Sequence, residues 1–245
     1  MGYHSNHSTS KATRERQKVE RLGEERLNYQ GCLMKIIEYN KSSDIIVEFQ
    51  DKRKTKIKCA YREFVKGSIK NPYHPTIYGV GMRGNKYPAR VNGKVCREYY
   101  TWRNMLYKCF DDEYKEKYQT HFDAVCCEEW LCFENFYEWI HGQSNVENFL
   151  KGNNWILNRN IIDKDNEIYS PEYCCLVPQS VNRLFMEQEL NIEDSTEEVL
   201  QKYKEYKEKH IKRVAEEEFA NGNISEQCYK AMMDYEIDVI QNKNS

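Results

Sequence analysis

The hydrophobic and polar positions near the start of the chain follow the period-two pattern of β-strands. Residues 33–39 and 44–49 are rich in β-branched and aromatic side chains, and the polar residues 40–43 between them are typical of a hairpin turn. A charged stretch over residues 14–30 precedes these segments and predicts a short helix. We therefore expect a polar tail and a short helix, followed by a small β unit.

The segment KTKIKCAY extends this pattern, because its lysines alternate with other side chains as they would on a strand. The lysines that would share one face are Lys54, Lys56 and Lys58. Together with residues 33–39 and 44–49, this segment gives three short strands, which predict a small SH3-like barrel or an AP2-like sheet. A row of lysines on a strand can contact phosphates, and it can equally form a charged edge that prevents aggregation.

Residues 67–94 are rich in Gly, Pro and Asn and predict a long ordered loop or hairpin. The loop contains tyrosines and cations that alternate along it, namely Tyr73, Tyr78 and Tyr87 among Lys70, Arg83, Lys86 and Arg90. This interleaving suits a nucleic-acid surface, because aromatic rings stack on bases while cations contact phosphates. In the alternative interpretation, the tyrosines hold the loop against the core.

The middle of the chain changes to the helical period. Apolar residues recur every three or four positions in two segments, REYYTWRNMLYKCF and EEWLCFENFYEWI. The first stripe comprises Tyr99, Trp102, Leu106 and Phe110, and the second comprises Trp130, Phe133, either Phe136 or Tyr137, and Ile140. Stripes with this spacing predict two helices that bury one face each.

The pattern over residues 186–245 predicts a helical hairpin. Ser195 and Glu198 form a capping-box pattern at its start, and Ser225 can cap the second helix after a break at residues 221–223. The apolar face predicted for the first helix consists of Val199, Tyr203, Tyr206, His210 and Val214. This face could dock on the core of the same chain or on a second copy, which would give a homodimer.

Charge is distributed unevenly along the chain, although the net charge is only -2. Residues 1–109 hold 23 Lys and Arg against 10 Asp and Glu, whereas residues 110–245 hold 14 against 29. Such asymmetry favours a basic front half that faces nucleic acid. The alternative is a globule with a large dipole and no polyanionic partner.

Several classes of protein are disfavoured by the composition. No apolar run approaches the length of a membrane span, and the first residues lack the hydrophobic region of a secretory signal. The chain has ten Cys but no C-x-x-C spacing, so we expect reduced, buried thiols rather than a zinc ribbon.

The segment WILNRNIIDKDNEIYSPEYCCLVPQSVNRLF, residues 155–185, resembles the ββα finger of HNH (His-Me finger) proteins of bacteriophages and prophages, a group associated with AP2-like DNA-binding proteins. The positions that carry the resemblance are Trp155, Leu157, Ile161, Asn166, Tyr169, Ser170, Pro171, Glu172, Cys174, Val177, Pro178 and Asn182. The earlier segment KGSIKNPYHPTIYGVG also resembles this family. The resemblance implies a finger flanked by helices.

The segment departs from the family at its chemical centre. The family motif D-K-D falls on Asn158, Arg159 and Asn160, so both carboxylates are replaced by amides. An HNH site needs a general base and a metal ion, and Arg159 stays protonated while amides are weak ligands for Mg²⁺. A displaced site could use Asp163, Asp165 and Asn182, whereas the simpler interpretation makes DKDN the polar loop of a hairpin. If the protein binds DNA without cutting it, we expect Arg159 to contact a phosphate.

These patterns predict an α+β fold with a small N-terminal β-barrel or sheet unit, a helical middle that encloses the ββα finger, and a C-terminal helical hairpin. The predicted segments are 1–30 for the tail and short helix, 31–95 for the basic β domain with its long loop, 96–190 for the helical and finger domain, and 191–245 for the helical hairpin.

The resemblance implies a DNA-binding protein without nuclease activity or cofactor, located in the cytoplasm of a bacterial host. One alternative is an active homing-type endonuclease, which would require Mg²⁺. A second alternative is an anti-defence protein that binds and inhibits a host defence nuclease, with its acidic half imitating nucleic acid. Function depends on the site rather than on the fold, so the sequence leaves these three hypotheses open.

Overall fold

The computed structural model describes residues 11–118, 124–152, 154–186 and 197–237. The chain is α+β, as the sequence predicts. Its contacts divide it into two compact units, Met1–His74 and Pro75–Ser245. The finer division into four segments stays a prediction. None of the helices in the described ranges is both long enough and apolar enough to cross a membrane.

The first unit is built on a four-stranded antiparallel sheet. Its elements are the helices Lys11–Arg21 (α1) and Tyr61–Val65 (α2) and the strands Glu25–Leu27 (β1), Leu33–Lys41 (β2), Asp44–Phe49 (β3) and Lys56–Cys59 (β4). The strands follow one another in the order β1-β2-β3-β4, so β1 and β4 lie at the edges. Of the two predicted alternatives, a barrel or a sheet, the described strands of this unit form an open sheet.

Strand alternation places the core of this unit on one face of the sheet. Met34, Ile36, Val47 and Phe49 are buried there together with Phe64 of α2. The charged stretch at residues 14–30 contributes to the predicted short helix, α1, which begins earlier, at Lys11, and ends at Arg21, two residues before Gly23 with a φ of 86°.

The second unit combines helices with short strands. In chain order its elements are Arg90–Val91 (β5), Lys94–Val95 (β6), Arg97–Phe110 (α3), Asp112–Lys117 (α4), Val125–Cys126 (β7), Phe133–His141 (α5), Val146–Lys151 (α6), Trp155–Asn158 (β8), Ile168–Tyr169 (β9), Cys175–Pro178 (β10), Gln179–Asn182 (α7), Glu197–Ala220 (α8) and Glu226–Met233 (α9). Two short 3-10 turns, Glu128–Leu131 and Arg183–Phe185, complete it.

The core of the second unit contains the predicted aromatic stripes. Trp102 and Leu106 of α3 and Phe133 and Phe136 of α5 are fully buried, which confirms these positions as core. Trp102 also donates a hydrogen bond from Nε1 to the backbone carbonyl of Trp130, at 2.7 Å. This bond and the ring contacts around it hold α3 against the turn that precedes α5.

The segment that carries the family resemblance forms a hairpin followed by a helical turn. Strands β8 and β10 pair antiparallel, with Trp155 opposite Pro178 and Asn158 opposite Cys175. Helix α7 begins directly after β10. The order of elements is therefore ββα, while β9 pairs in parallel with β7 outside the hairpin.

A buried carboxylate anchors the loop that precedes α3. Oε1 of Glu134 accepts hydrogen bonds from the backbone N–H groups of Asn85, at 2.7 Å, and Lys86, at 2.6 Å. Gly84 adopts a φ of 72°, and a Cβ added there would lie 2.3 Å from the same oxygen. Tyr87 stacks on Tyr137 with ring centroids 3.9 Å apart. In this part of the loop a tyrosine therefore packs on the core.

The last two helices form the predicted hairpin, but with a different buried face. Ile211 and Ala215 of α8 are buried, whereas the predicted Val199 and Tyr206 are 54% and 71% exposed. The predicted face is therefore wrong at these two positions, because α8 buries the stripe of Leu200, Ile211 and Ala215 instead. Ser225 caps α9 by accepting the N–H of Cys228, as predicted. Ser195 lies outside the described residues.

Gly84→Ala is expected to destabilise the protein more than Gly79→Ala. Both glycines have similar φ angles, 72° and 73°, but only Gly84 has an atom within 4 Å of the added methyl group. The strained backbone costs about 1 kcal/mol in each variant, and overpacking adds roughly 1–3 kcal/mol at Gly84. Chemical denaturation of the two variants measures this difference, and equal losses would contradict the anchoring role of Glu134.

Candidate nucleic-acid interface

The amides of the ββα segment form a closed hydrogen-bond network. Oδ1 of Asn158 accepts the backbone N–H groups of Asn160, at 2.7 Å, and Ile161, at 2.8 Å. Its Nδ2 donates to Oδ1 of Asn182, at 2.7 Å. The side chain at the end of β8 therefore fixes the following turn and ties it to α7.

Two further amides hold the rest of the hairpin loop. Nδ2 of Asn160 donates to the carbonyls of Lys164, at 3.2 Å, and Asn166, at 2.8 Å. Asn166 is buried, and its Nδ2 donates to the carbonyls of Arg159, at 2.9 Å, and Ile168, at 2.8 Å. Because a carboxylate cannot donate, the network requires amides at Asn160 and Asn166.

Two of the predicted metal ligands, Asp163 and Asn182, accept hydrogen bonds within this arrangement. Asp163 and Asp165 lie on the exposed side of the loop, and Oδ1 of Asp163 accepts the backbone N–H of Asp165 at 3.1 Å. Oδ1 of Asn182 already accepts from Asn158. Across the ranges that the structure describes, no group of three or more His, Cys, Asp and Glu side chains could hold a metal ion. A displaced catalytic site at these residues stays a prediction.

Arg159 is a buried cation without a hydrogen-bond partner on two of its nitrogens. Its side chain is 8% exposed, and its Cζ lies 5.2 Å from the centroid of the Tyr169 ring. Its Nε and Nη1 are buried and unpartnered. A charge in this condition is costly, so its presence indicates a site at which an anion would be stabilised.

Two lysines extend the positive charge around Arg159. Burial lowers the pKa of Lys108, and the nearby charge of Arg159 lowers it further. Burial raises the pKa of the Cys109 thiol to about 12, and Arg159, Lys115 and Lys108 each oppose that rise. We call Lys108, Lys115 and Arg159 the cation cluster. Within the described residues, no salt bridge includes any of its three members.

A cavity of about 660 Å³ lies between α3 and β8 beside the cation cluster. Lys108 and Tyr169, which both neighbour Arg159, are part of its wall. Arg97 also lines it. The described wall contains no Asp or Glu, so the cavity combines positive charge with an absence of competing carboxylates.

Aromatic side chains surround the same cavity. Tyr100, Tyr107 and Trp155 line it, and Tyr100 is 60% exposed. Cations together with accessible rings suit the phosphates and bases of nucleic acid. Arg97 is partly committed to the protein, because it donates to the carbonyl of Gly152 and lies 4.8 Å above the ring of Phe149.

The role of α3 in this site was missed in the sequence, although a signal existed. Arg97, Thr101, Asn104 and Lys108 are spaced by four, three and four residues, which places them on one helical face. All four line the cavity. The apolar stripe of Trp102 and its neighbours identifies the buried face of α3, and the polar stripe beside it marks the wall of the cavity.

The lysines predicted to bind nucleic acid in the first unit lie at an edge of the sheet. Lys56 and Lys58 are exposed on β4, and Nζ of Lys58 pairs with Oδ1 of Asp44 at 3.1 Å. Lys54 lies before the strand at a φ of 51°, where its Nζ donates to Oε1 of Gln50 at 2.9 Å. Lys70 is exposed. The position of β4 supports a charged, aggregation-resistant edge at least as well as phosphate binding.

The predicted cations of the loop in the second unit differ in whether they already pair with a group of the protein. Nζ of Lys86 pairs with Oε1 of Glu138 at 2.5 Å, and this contact raises the pKa of Lys86. Arg90 donates from Nη1 to the carbonyl of Gly93 at 3.1 Å, whereas Arg83 is exposed. Of the cations predicted to bind nucleic acid, only Arg159 belongs to the cation cluster.

Comparison of the chain with protein-family models, curated proteins and solved structures finds no match. The geometry of the cation cluster and the cavity therefore carries the functional argument.

Asn160→Asp is expected to destabilise the protein by about 1–3 kcal/mol, because a carboxylate would face two carbonyls to which the amide donates. Asn158→Asp serves as the matched control and should cost less, since the side-chain amide of Asn182 can rotate and donate to the new carboxylate. Urea denaturation at neutral pH compares the two variants. A loss at Asn158 as large as that at Asn160 would contradict the assigned network.

Lys108→Met is expected to stabilise the free protein by on the order of 1 kcal/mol, because it removes a partly desolvated charge that faces Arg159. The lowered pKa of Lys108 means that the charged amine is disfavoured in the folded state. The gain should thus be full at neutral pH and shrink as the pH rises through that lowered pKa. Thermal unfolding measures it, with the exposed Lys212→Met as the control. A lower midpoint for Lys108→Met than for the control would contradict the assignment.

Proposed function

We propose that this chain is a phage-type DNA-binding protein built on an HNH-like ββα scaffold that lacks nuclease chemistry. The observation that carries the proposal is the cation cluster beside the cavity, where positive charge is buried without a carboxylate partner among the described residues. Such a site is unfavourable in the free protein and becomes favourable when phosphate supplies the missing negative charge.

The ββα order of the elements and the residues shared with the family support an HNH-like scaffold. The hydrogen bonds of the amides argue against its usual chemistry. Asn158 and Asn160 stand where the family has carboxylates, and both are used to hold the hairpin loop. A side chain whose polar atoms are already satisfied within the fold is a poor ligand for Mg²⁺ and cannot act as a base.

Binding of short fluorescent DNA, single-stranded and duplex, tests the proposal at several salt concentrations. We expect affinity to fall steeply with salt, as it does when phosphates replace counterions. Lys108→Met should weaken binding by about tenfold and reduce the salt slope by about 1. Lys212→Met makes the same change of charge on the exposed surface of α8 and should leave affinity within about twofold. Binding that ignores salt, or equal losses in the two variants, would refute the proposal.

A plasmid-nicking assay with Mg²⁺ or Mn²⁺ separates this proposal from the endonuclease hypothesis. We expect no cleavage by the parent protein or by the double variant Asp163→Ala, Asp165→Ala. Cleavage by the parent that disappears in the double variant would place an active site in the hairpin loop. That result would overturn the non-catalytic assignment while leaving DNA as the partner.

A further inference from the structure

The cation cluster borders a partly open pocket, with Lys108 in its wall and the buried Arg159 behind it. Arg159 is too buried to touch a duplex laid across the protein, and Lys108 is partly buried in the wall of the cavity. The volume of about 660 Å³ falls within the range of small-molecule sites and is far below the space that a duplex occupies. The group that reaches this charge must therefore be small or must lie at the end of a chain.

The charge at the cavity suits a doubly negative group. A phosphate monoester carries a charge between -1.5 and -2 at neutral pH, roughly twice that of a phosphodiester in the middle of a strand. Lys108 can contact such a group directly from the wall. Arg159 is not itself part of the wall, but its charge acts on Lys108 across a poorly screened interior. The cluster therefore favours a terminal phosphate over an internal one.

The rest of the wall suits a base and sugar attached to that phosphate. Tyr100 and Trp155 offer ring surfaces, and the side chains of Thr101 and Asn104 offer hydrogen-bond donors and acceptors along α3. Stacking on an aromatic ring tolerates any base, because every base has a π face. The wall thus combines a position for the phosphate with aromatic rings on which any base can stack.

We propose that the cavity binds a nucleotide through a terminal phosphate monoester, at the phosphorylated end of a DNA strand or in a free nucleotide. This inference rests on the proposed function, which it deepens by naming the part of the nucleic acid that the cation cluster recognises. It adds a requirement that general DNA binding does not have, namely a phosphate with three unesterified oxygens.

The test compares one single-stranded oligonucleotide in three forms, with a 5′-phosphate, with a 3′-phosphate and with hydroxyl groups at both ends, each carrying an internal fluorophore. We expect one phosphorylated form to bind the full chain at least about tenfold more tightly than the hydroxyl form, because hydrogen bonds to a charged phosphate are stronger than those to a hydroxyl group. Lys108→Met should remove this preference, and Lys212→Met should retain it. Thermal unfolding of both variants verifies that they fold.

Competition by a nucleoside monophosphate and by the corresponding nucleoside distinguishes the two sources of the terminal phosphate. Displacement of the phosphorylated oligonucleotide by the monophosphate, but not by the nucleoside, would show that the cavity accepts a free nucleotide. Without displacement, a phosphate preference that depends on Lys108 would support recognition of a strand end.

Equal, salt-sensitive binding of all three oligonucleotides, weakened equally by Lys108→Met, would overturn the terminal-phosphate inference and leave the proposed DNA-binding function intact. Failure of every oligonucleotide to bind, together with a shift in unfolding temperature by the monophosphate that Lys108→Met abolishes, would support the cavity assignment and refute DNA as the partner. An absence of any response to oligonucleotides and monophosphate would overturn both.

Discussion

The indole of Trp102 is fully buried and donates a hydrogen bond to the backbone of Trp130, so α3 is held against the turn that precedes α5. Its ring also packs at 5.5 Å from that of Phe133, which belongs to α5. Because a helix is rigid, fixing one face of α3 fixes its other faces as well. The polar stripe from Arg97 to Lys108 is therefore held beside β8, and the cavity exists because the core beneath it is packed.

The cation cluster illustrates how a stable fold can carry a locally unfavourable site. Lys108 and Arg159 repel one another, and burial deprives both of water. Elsewhere in the second unit the carboxylates of Glu134 and Glu138 are occupied by the loop before α3. Among the described residues, no salt bridge neutralises the cation cluster, so its cost must be offset by the packing of the rest of the second unit.

The amides of the ββα segment show how the donor and acceptor atoms of a side chain decide which loop it can hold. Replacing a carboxylate by an amide leaves the size of the side chain almost unchanged, but it converts an acceptor into a group that also donates. Asn160 uses this donation to join two carbonyls of the hairpin loop, and Asn158 uses it to reach Asn182. These hydrogen bonds tie the hairpin loop to itself and to α7.

Local patterns predicted much of the secondary structure. The strands around Ile36 and Val47 and the core positions of Trp102 and Phe133 followed from periodicity, because burial of one face imposes it directly on the sequence. The cap at Ser225 also followed, since it depends on a few adjacent residues. The buried face of α8 did not, because Val199 and Ile211 are both apolar and only the shape of the neighbouring surface decides which of them is buried.

The sequence by itself determined the α+β class, the hairpin order of residues 155–185 and the presence of amides at Asn158 and Asn160. Tertiary structure alone decided that the charge of Arg159 acts on Lys108 of α3, and that Lys115 of α4 acts with them on the Cys109 thiol. Periodicity reports only which side of an element is buried. It carries no information on which distant side chain lies opposite, because that pairing is set by the packing of several elements at once.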